Sequence, residues 1–175
     1  EVKAACAVQG GYGEQDYYYK DQPYKIHVLS LDSMAFSVFD IRILEGSDEF
    51  LTLRSNKVAI TRQAAHRIFG DESPLGKEIK TSRRTKTICA VVETDNSHTN
   101  FAFDMMGHPE LGRTWYWTQW SLLIKVKPDT DIEALEAKIN ANLPKELNEL
   151  NSVIRSGTNR IYLTPVSTLR SAKDY

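Results

Sequence analysis

The chain has no excess of positive charge, no long apolar run and very little cysteine, and each shortage removes a class of function. Lys plus Arg number 22 and Asp plus Glu 23, for a net charge of -1. A surface without cationic excess has no general pull on a phosphate backbone, so nucleic acid is not an expected partner. No apolar stretch nears the about 20 residues that a helix needs to cross a bilayer. The longest candidates, ICAVV and SLLIKV, are strand-sized, and no signal peptide is visible. The sequence starts at Glu1 inside a strand-like run, which reads as a fragment excised from a longer protein. Its lack of a membrane segment therefore says little about any parent. The two cysteines, Cys6 and Cys89, lie far apart in apolar runs. They have no metal-type spacing and read as buried free thiols, or as one disulfide between neighbouring strands in an oxidising compartment.

What is present is ordinary globular material. The 175 residues are 41% hydrophobic and 26% charged, enough for one domain or two small ones. EVKAACAV reads as a short strand, and GGYGEQDYYYKDQP as a long loop or hairpin tip. YKIHVLSLD alternates like a half-buried strand, and Asp32 or Ser33 can cap a short helix in SMAFSVFD. IRILEG is an apolar run ended by Gly46, and SDEFLTLRSN a polar connection with one or two helical turns. KVAIT is a compact strand leading to a Thr61-capped helix, RQAAHRIF, with Ala64, Ala65, Ile68 and Phe69 on one face. KEIKTS and KTICAVVET flank SRRT as a hairpin. WYWTQWSLLIKVK is a long strand stopped by Pro128. A helix capped by Asp129 or Thr130 follows, with Ile132, Leu135, Ile139 and Leu143 on one side. RIYLTPVS is a last strand. Strands and helices in this mixed order predict an α+β domain with mixed or antiparallel sheets in two lobes. The expected division is 1–46 plus 114–175 in one lobe, with 47–113 inserted as the second.

FGDESPLGK, residues 69 to 77, superficially resembles a phosphate loop. That loop needs Gly, four residues, then Gly-Lys-Ser/Thr, and it runs from a strand into a helix so that the helix amides face the anion. Here five residues separate Gly70 from Gly76, Glu78 stands where the hydroxyl belongs, and Asp71 and Glu72 would repel phosphate. The stretch also leaves a helix and enters a strand. Its residues read as architecture: Gly70 as a left-handed helix stop, Pro74 as a turn former, Gly76 at positive φ and Lys77 as a solvated edge residue.

His98, Asp104 and His108 are the one trio that can be imagined around zinc, as a small metal-dependent hydrolase would require, but their spacing is irregular and no thiol joins them. His27 reads as a surface residue, and His66 has no partner at metal spacing. The aromatic groups carry more information. Trp115 and Trp117 share one face of their strand, Tyr116 and Trp120 the other; either both faces are core or one is an exposed binding patch. Tyr17, Tyr18 and Tyr19 lie in a polar segment, where at least one is expected to be exposed.

Five segments together resemble the MacB-like periplasmic core domain of FtsX-type ABC-transporter permeases. LDSMAFSVFDIRILEG is similar to the family's short helix leading to a strand that ends in L-x-G. VAITRQAAHRIFGDESPLGKEI resembles its strand, capped Ala-rich helix, FG and Pro-Leu-Gly-Lys turn. ICAVVETDNSHTNFAFDMM resembles its V-x-G-V-V…N-S-H…F-D segment, although Ala90 replaces the usual Gly and the Pro often found before NSH is absent. WSLLIKVKPDTDIEALEAKI and YLTPVSTL resemble the strand, turn and helix that follow and the closing strand. The resemblance implies a domain on the periplasmic, extracytoplasmic face of the bacterial inner membrane, without catalytic residues, cofactor or metal. It implies transmembrane helices of the same protein, a separate cytoplasmic ATPase domain or subunit, dimeric assembly, and a periplasmic adaptor or cargo. The work done would be efflux of drugs or peptides, lipoprotein release or control of a partner. Tyr17, Tyr18, Tyr19 and Trp117 are the expected contact residues, and Gly70, Pro74 and Gly76 are expected to be structural. A stand-alone extracytoplasmic adhesive or sensory module is the other alternative to the transporter.

Overall fold

The computed structural model describes residues 1–94, 103–108, 120–142 and 161–165. Chain order is β1 (Val2–Tyr19), β2 (Gln22–Leu31), α1 (Ala35–Val38), β3 (Ile41–Gly46), a 3₁₀ turn (Asp48–Leu51), β4 (Lys57–Thr61), α2 (Arg62–Phe69), β5 (Glu78–Lys80), β6 (Thr85–Thr94), β7 (Met105–Gly107), β8 (Trp120–Val126) and α3 (Ile132–Ala141). The strands form one mixed sheet, with β2–β7 and β4–β6 parallel and the other pairings antiparallel. This is the α+β arrangement expected.

The sheet closes on itself. Pairing runs β2-β7-β4-β6-β5-β1, and β1 also pairs with β2, which makes a ring of six strands. The closing contact is a single register pair, Tyr18 with Lys80. Outside the ring, β3 pairs with β6, and the first half of β1 pairs with β8 from Val2 to Gln9. Hydrogen bonds cross between residues 1–46 and 47–113 at β2–β7 and β3–β6.

The burial pattern follows from the ring. Tyr17, Ile26, Val58, Ile60, Ile79, Ile88, Val91 and Met105 come from all six ring strands and meet the apolar side of α2 in an inner cluster. Cys6, Val8, Leu29, Leu31, Ala59, Ala90, Val92 and Met106 form an outer cluster with Ala35, Phe50 and Leu123. Because β4 sends Val58 and Ile60 inward and Ala59 outward, both of its faces are dry. That is why KVAIT is nearly continuous in apolar residues.

Several boundaries differ from expectation. β1 runs on to Tyr19, where a loop was expected. Tyr17 and Tyr19 project to the inner cluster while Tyr18 points out, so the segment obeys strand alternation despite its Gly, Asp and Gln. The glycines at 10 to 13 are absorbed in a register shift between Gly10 and Glu14. The hairpin then turns through Lys20 and Asp21, both at positive φ (47° and 63°), the geometry that suits the right-handed twist of two-residue hairpins. α1 is only four residues long; Asp32 caps no helix end but accepts from the Met34 and Ala7 amides. α3 is capped by Asp131, whose Oδ1 accepts from Ala134 N at 3.0 Å, not by Asp129 or Thr130. Residues 161–165 form no strand; Asn140 and Glu136 of α3 hold their backbone. Both cysteines are free thiols.

Candidate functional site

The capped helix α2 positions most of what is distinctive. Thr61 Oγ1 accepts from Ala64 N at 3.2 Å, satisfying one of the orphan amides at the helix start. Ile68 and Phe69 lie inside, and each such burial contributes roughly 1.5–3 kcal/mol. Gly70 ends the helix by donating to His66 O at 2.9 Å. Its angles, φ 63° and ψ -129°, are positive-φ as expected but lie in the mirror image of extended backbone, not in the left-handed helical region. Only glycine enters that region readily. Gly76 has φ 77°, and Pro74 accepts from Lys77 N at 3.1 Å, closing the turn into β5.

Lys77 is not the solvated edge residue expected. Its ammonium is paired with Glu72 and stands 5.1 Å from the Phe69 ring centre and 5.7 Å from that of Tyr19. The Tyr19 and Phe69 rings meet edge to face at 4.6 Å. Lys20 Nζ lies 5.2 Å from the Tyr19 ring on the same tip. The Glu72 hydrogen bond raises the Lys77 pKa against the pull of desolvation, and the same bond lowers that of Glu72. The tip of the first hairpin is thus an ordered aromatic and cationic knob.

Of the expected contact residues, Tyr18 is 42% exposed and Tyr19 half-buried in this knob, whereas Tyr17 is 5% exposed and belongs to the inner cluster. Tyr17 therefore does not share the outward face that Tyr18 presents. Trp117 lies outside the described residues, as do Trp115, Tyr116 and His98.

Asp104, expected at most as a metal ligand, does structural work. One carboxylate oxygen accepts from His27 N at 3.0 Å, and the other lies 3.0 Å from Arg67 Nη2. Its backbone N donates to His27 O, and its carbonyl accepts from Thr61 N at 2.8 Å. β7 is thereby fixed between β2 and β4 with α2 tied to the same point. His108 anchors the other end of β7 by donating from its backbone N to Phe50 O at 2.7 Å. Among the described residues no three His, Cys, Asp or Glu side chains gather in a way that could hold a metal ion.

Among the described residues, two concavities bear on the site. One lies beside the first turn of α2, where Arg62, His66, Glu93 and Phe103 line about 520 Å³. Glu93 is paired there with Arg42 and lies 3.9 Å from Arg62. The other, of about 420 Å³, is the end of the strand ring remote from α2, edged by Arg83, Arg84 and Lys86. The two arginines of this second place belong to SRRT, a stretch that along the chain is legible only as a hairpin loop.

Compared with known families, the chain matches the MacB-like periplasmic core domain over residues 2–142. No curated protein matches. Among solved structures it is similar to a domain of a protein described as a permease from Porphyromonas gingivalis, with a TM-score of 0.65 and 20% identity over 85% of this chain and 68% of that one. The extracellular domain of the noncanonic ABC-type transporter YknZ from Gram-positive bacteria follows, at TM-score 0.58 and 17% identity, covering 89% of this chain and 78% of that one. The periplasmic region of MacB from Actinobacillus actinomycetemcomitans aligns at TM-score 0.53 and 14% identity over 90% of this chain and 78% of its own. At these identities the structural likeness speaks for the fold.

Proposed function

The chain belongs to the MacB-like periplasmic core domain family, and from that premise we propose that it works without catalytic groups of its own, as the extracytoplasmic part of an ABC-transporter permease. In this reading it passes motion driven by a cytoplasmic ATPase to a cargo or adaptor outside the membrane, as one half of a dimer. Among the described residues no helix is long and apolar enough to cross a membrane. In this reading the motion reaches the domain from the membrane-embedded part of the permease.

The family match over residues 2–142 carries the proposal. The geometry that supports a mechanical role is the grip of α3. Lys138 Nζ holds the Glu1 carboxylate at 2.7 Å, and Lys127 N donates to Glu1 O at 2.8 Å. On the same helix, Asn140 exchanges two hydrogen bonds with Ile161, and Glu136 accepts from Leu163 N. Displacements at the start of β1 and in residues 161–165 thus meet on one rigid element. From there β8 and β1 lead to the ring and the hairpin knob, where Tyr18 and Lys20 offer the outward contact. The lobes of the proposal accordingly differ from the division expected at residues 47 and 113. One is the α3, β8 and first-half-β1 end; the other is the strand ring.

The test is a spin label at Lys20, read between the two copies of the reconstituted full-length transporter by pulsed dipolar spectroscopy. Trapping the ATPase in its ATP-bound state is expected to shift the distance distribution from that of the nucleotide-free state. Identical distributions in every nucleotide state would refute mechanical coupling, and an absence of any dipolar signal would refute the dimer.

A further inference from the structure

We propose that the open mouth of the strand ring is a binding site for a small ligand that carries an oxyanion, a carboxylate or phosphate, on a short apolar stem. The inner face of the ring changes character along its length. On β1 the inward positions pass from Tyr19 and Tyr17 to Gln15, and on β2 from Tyr24, Ile26 and Val28 to Ser30. On β6 the apolar Ile88 is followed toward the mouth by Lys86, half-buried and lining the cavity. In a ring this small, inward positions are ordinarily filled by packed apolar side chains. Polar groups and a cation at these places form the wall of a cup whose floor is Tyr17, Val28 and Met105.

The β5–β6 turn supplies the rest of the charge. Residues 81–87, TSRRTKT, hold three cations and no acid, in a chain whose acids outnumber its Lys and Arg by 23 to 22. The turn is braced. Thr81 Oγ1 accepts from the amides of Arg83 and Arg84 at 3.3 and 3.0 Å, and Thr81 N donates to Arg84 O at 2.8 Å. Two guanidinium groups are therefore carried on an ordered backbone at the rim, and less freedom is lost when they close on a ligand. Guanidinium forks match the planar oxygens of carboxylate and phosphate, and low-dielectric walls strengthen the attraction. A volume of about 420 Å³ suits a small molecule, and barrel mouths are among the places where such ligands bind.

The test is an amide-shift titration of the isotope-labelled chain with inorganic phosphate, hexanoate and hexyl phosphate. Saturable shifts are expected at Ser30, Thr81, Lys86 and Gly107, with a dissociation constant for hexyl phosphate below ~1 mM and weakening as salt is added. Hexyl phosphate should bind more tightly than inorganic phosphate, since the floor is apolar; equal affinities would overturn the stem. Arg83→Gln combined with Lys86→Gln should weaken every probe at least ~10-fold. Unchanged shifts at Ala59 and Val92 in the outer cluster will certify that the variant is folded. No saturation with any probe up to ~10 mM, or equal affinities in the parent chain and the variant, would overturn the site. Should the double variant fail to fold, Arg83→Gln alone, at an exposed turn position, carries the same comparison.

Discussion

Arg67 and Asp104 face each other across 3.0 Å, guanidinium Nη2 against carboxylate Oδ1, and the same Nη2 donates to the Lys25 carbonyl at 3.1 Å. With the His27 amide on its other oxygen, Asp104 joins α2, β2 and β7 through one side chain that is only 16% exposed. Three elements distant in sequence are thereby held in register at one end of the ring.

Asp104→Ala removes both acceptors at once. It should destabilise the chain by about 2–3 kcal/mol, because hydrogen bonds to a charged group contribute about 1.5–3 kcal/mol and the His27 amide loses its partner. Asp104→Asn keeps an acceptor for that amide and should cost less. Urea unfolding followed by circular dichroism measures both; equal stability of Asp104→Ala and the parent would remove the carboxylate from its clamping role.

The glycines divide by what surrounds them. A Cβ on Gly46 would lie 2.0 Å from the Cys89 carbonyl oxygen, at φ 87°, so Gly46→Ala should prevent folding or cost more than about 4 kcal/mol. A Cβ on Gly70 or Gly76 meets nothing within 4 Å. There only backbone strain remains, about 1–3 kcal/mol. The order of the three midpoints in denaturant checks the claim, and a Gly46→Ala chain as stable as Gly76→Ala would contradict it.

Thr61→Ala should cost about 1 kcal/mol through loss of the cap on α2, and Thr61→Ser should recover most of it. A shift in the denaturation midpoint with an unchanged slope is the expected signature.

Burial, aided by the nearby Asp32 carboxylate, pushes the Cys6 thiol up to about 12 from an ordinary 9.0. The folded chain keeps this proton where the unfolded chain has lost it. Its contribution is thus complete below pH 9 and declines as pH rises from about 9 to 12. Cys6→Ala should flatten the alkaline fall in stability relative to the parent chain. In the native state Cys6 should resist alkylation at pH 8 and react only after unfolding. Rapid native labelling of Cys6 would contradict its burial.

Much of this architecture was legible along the chain. The Thr61 cap, the apolar face of α2, its Gly70 stop and the SRRT hairpin all depend on neighbours within a few residues, and local rules read them. The glycines, Asp and Gln at 10–16 read as loop because local composition cannot show that Tyr24, Ile26 and Val28 lie opposite to receive Tyr17 and Tyr19. Asp104 offered itself as a metal ligand because its partners, His27 and Arg67, lie 77 and 37 positions away. The cationic mouth was hidden for a similar reason: SRRT becomes a rim only when β1, β2 and β7 curl round to face it. Tyr17 was expected outside on polarity of context, and the alternation of an extended strand put it within.

Tyr18 opposite Lys80 is the sole register pair joining β1 to β5. A cylinder fastened at one rung has a seam: pulling on the first hairpin loads that rung before the long β1–β2 ladder feels any tension. Parting it would uncover the free edges of both strands while leaving the rest of the pairing whole. The domain therefore carries a built-in place to yield, beside the aromatic knob.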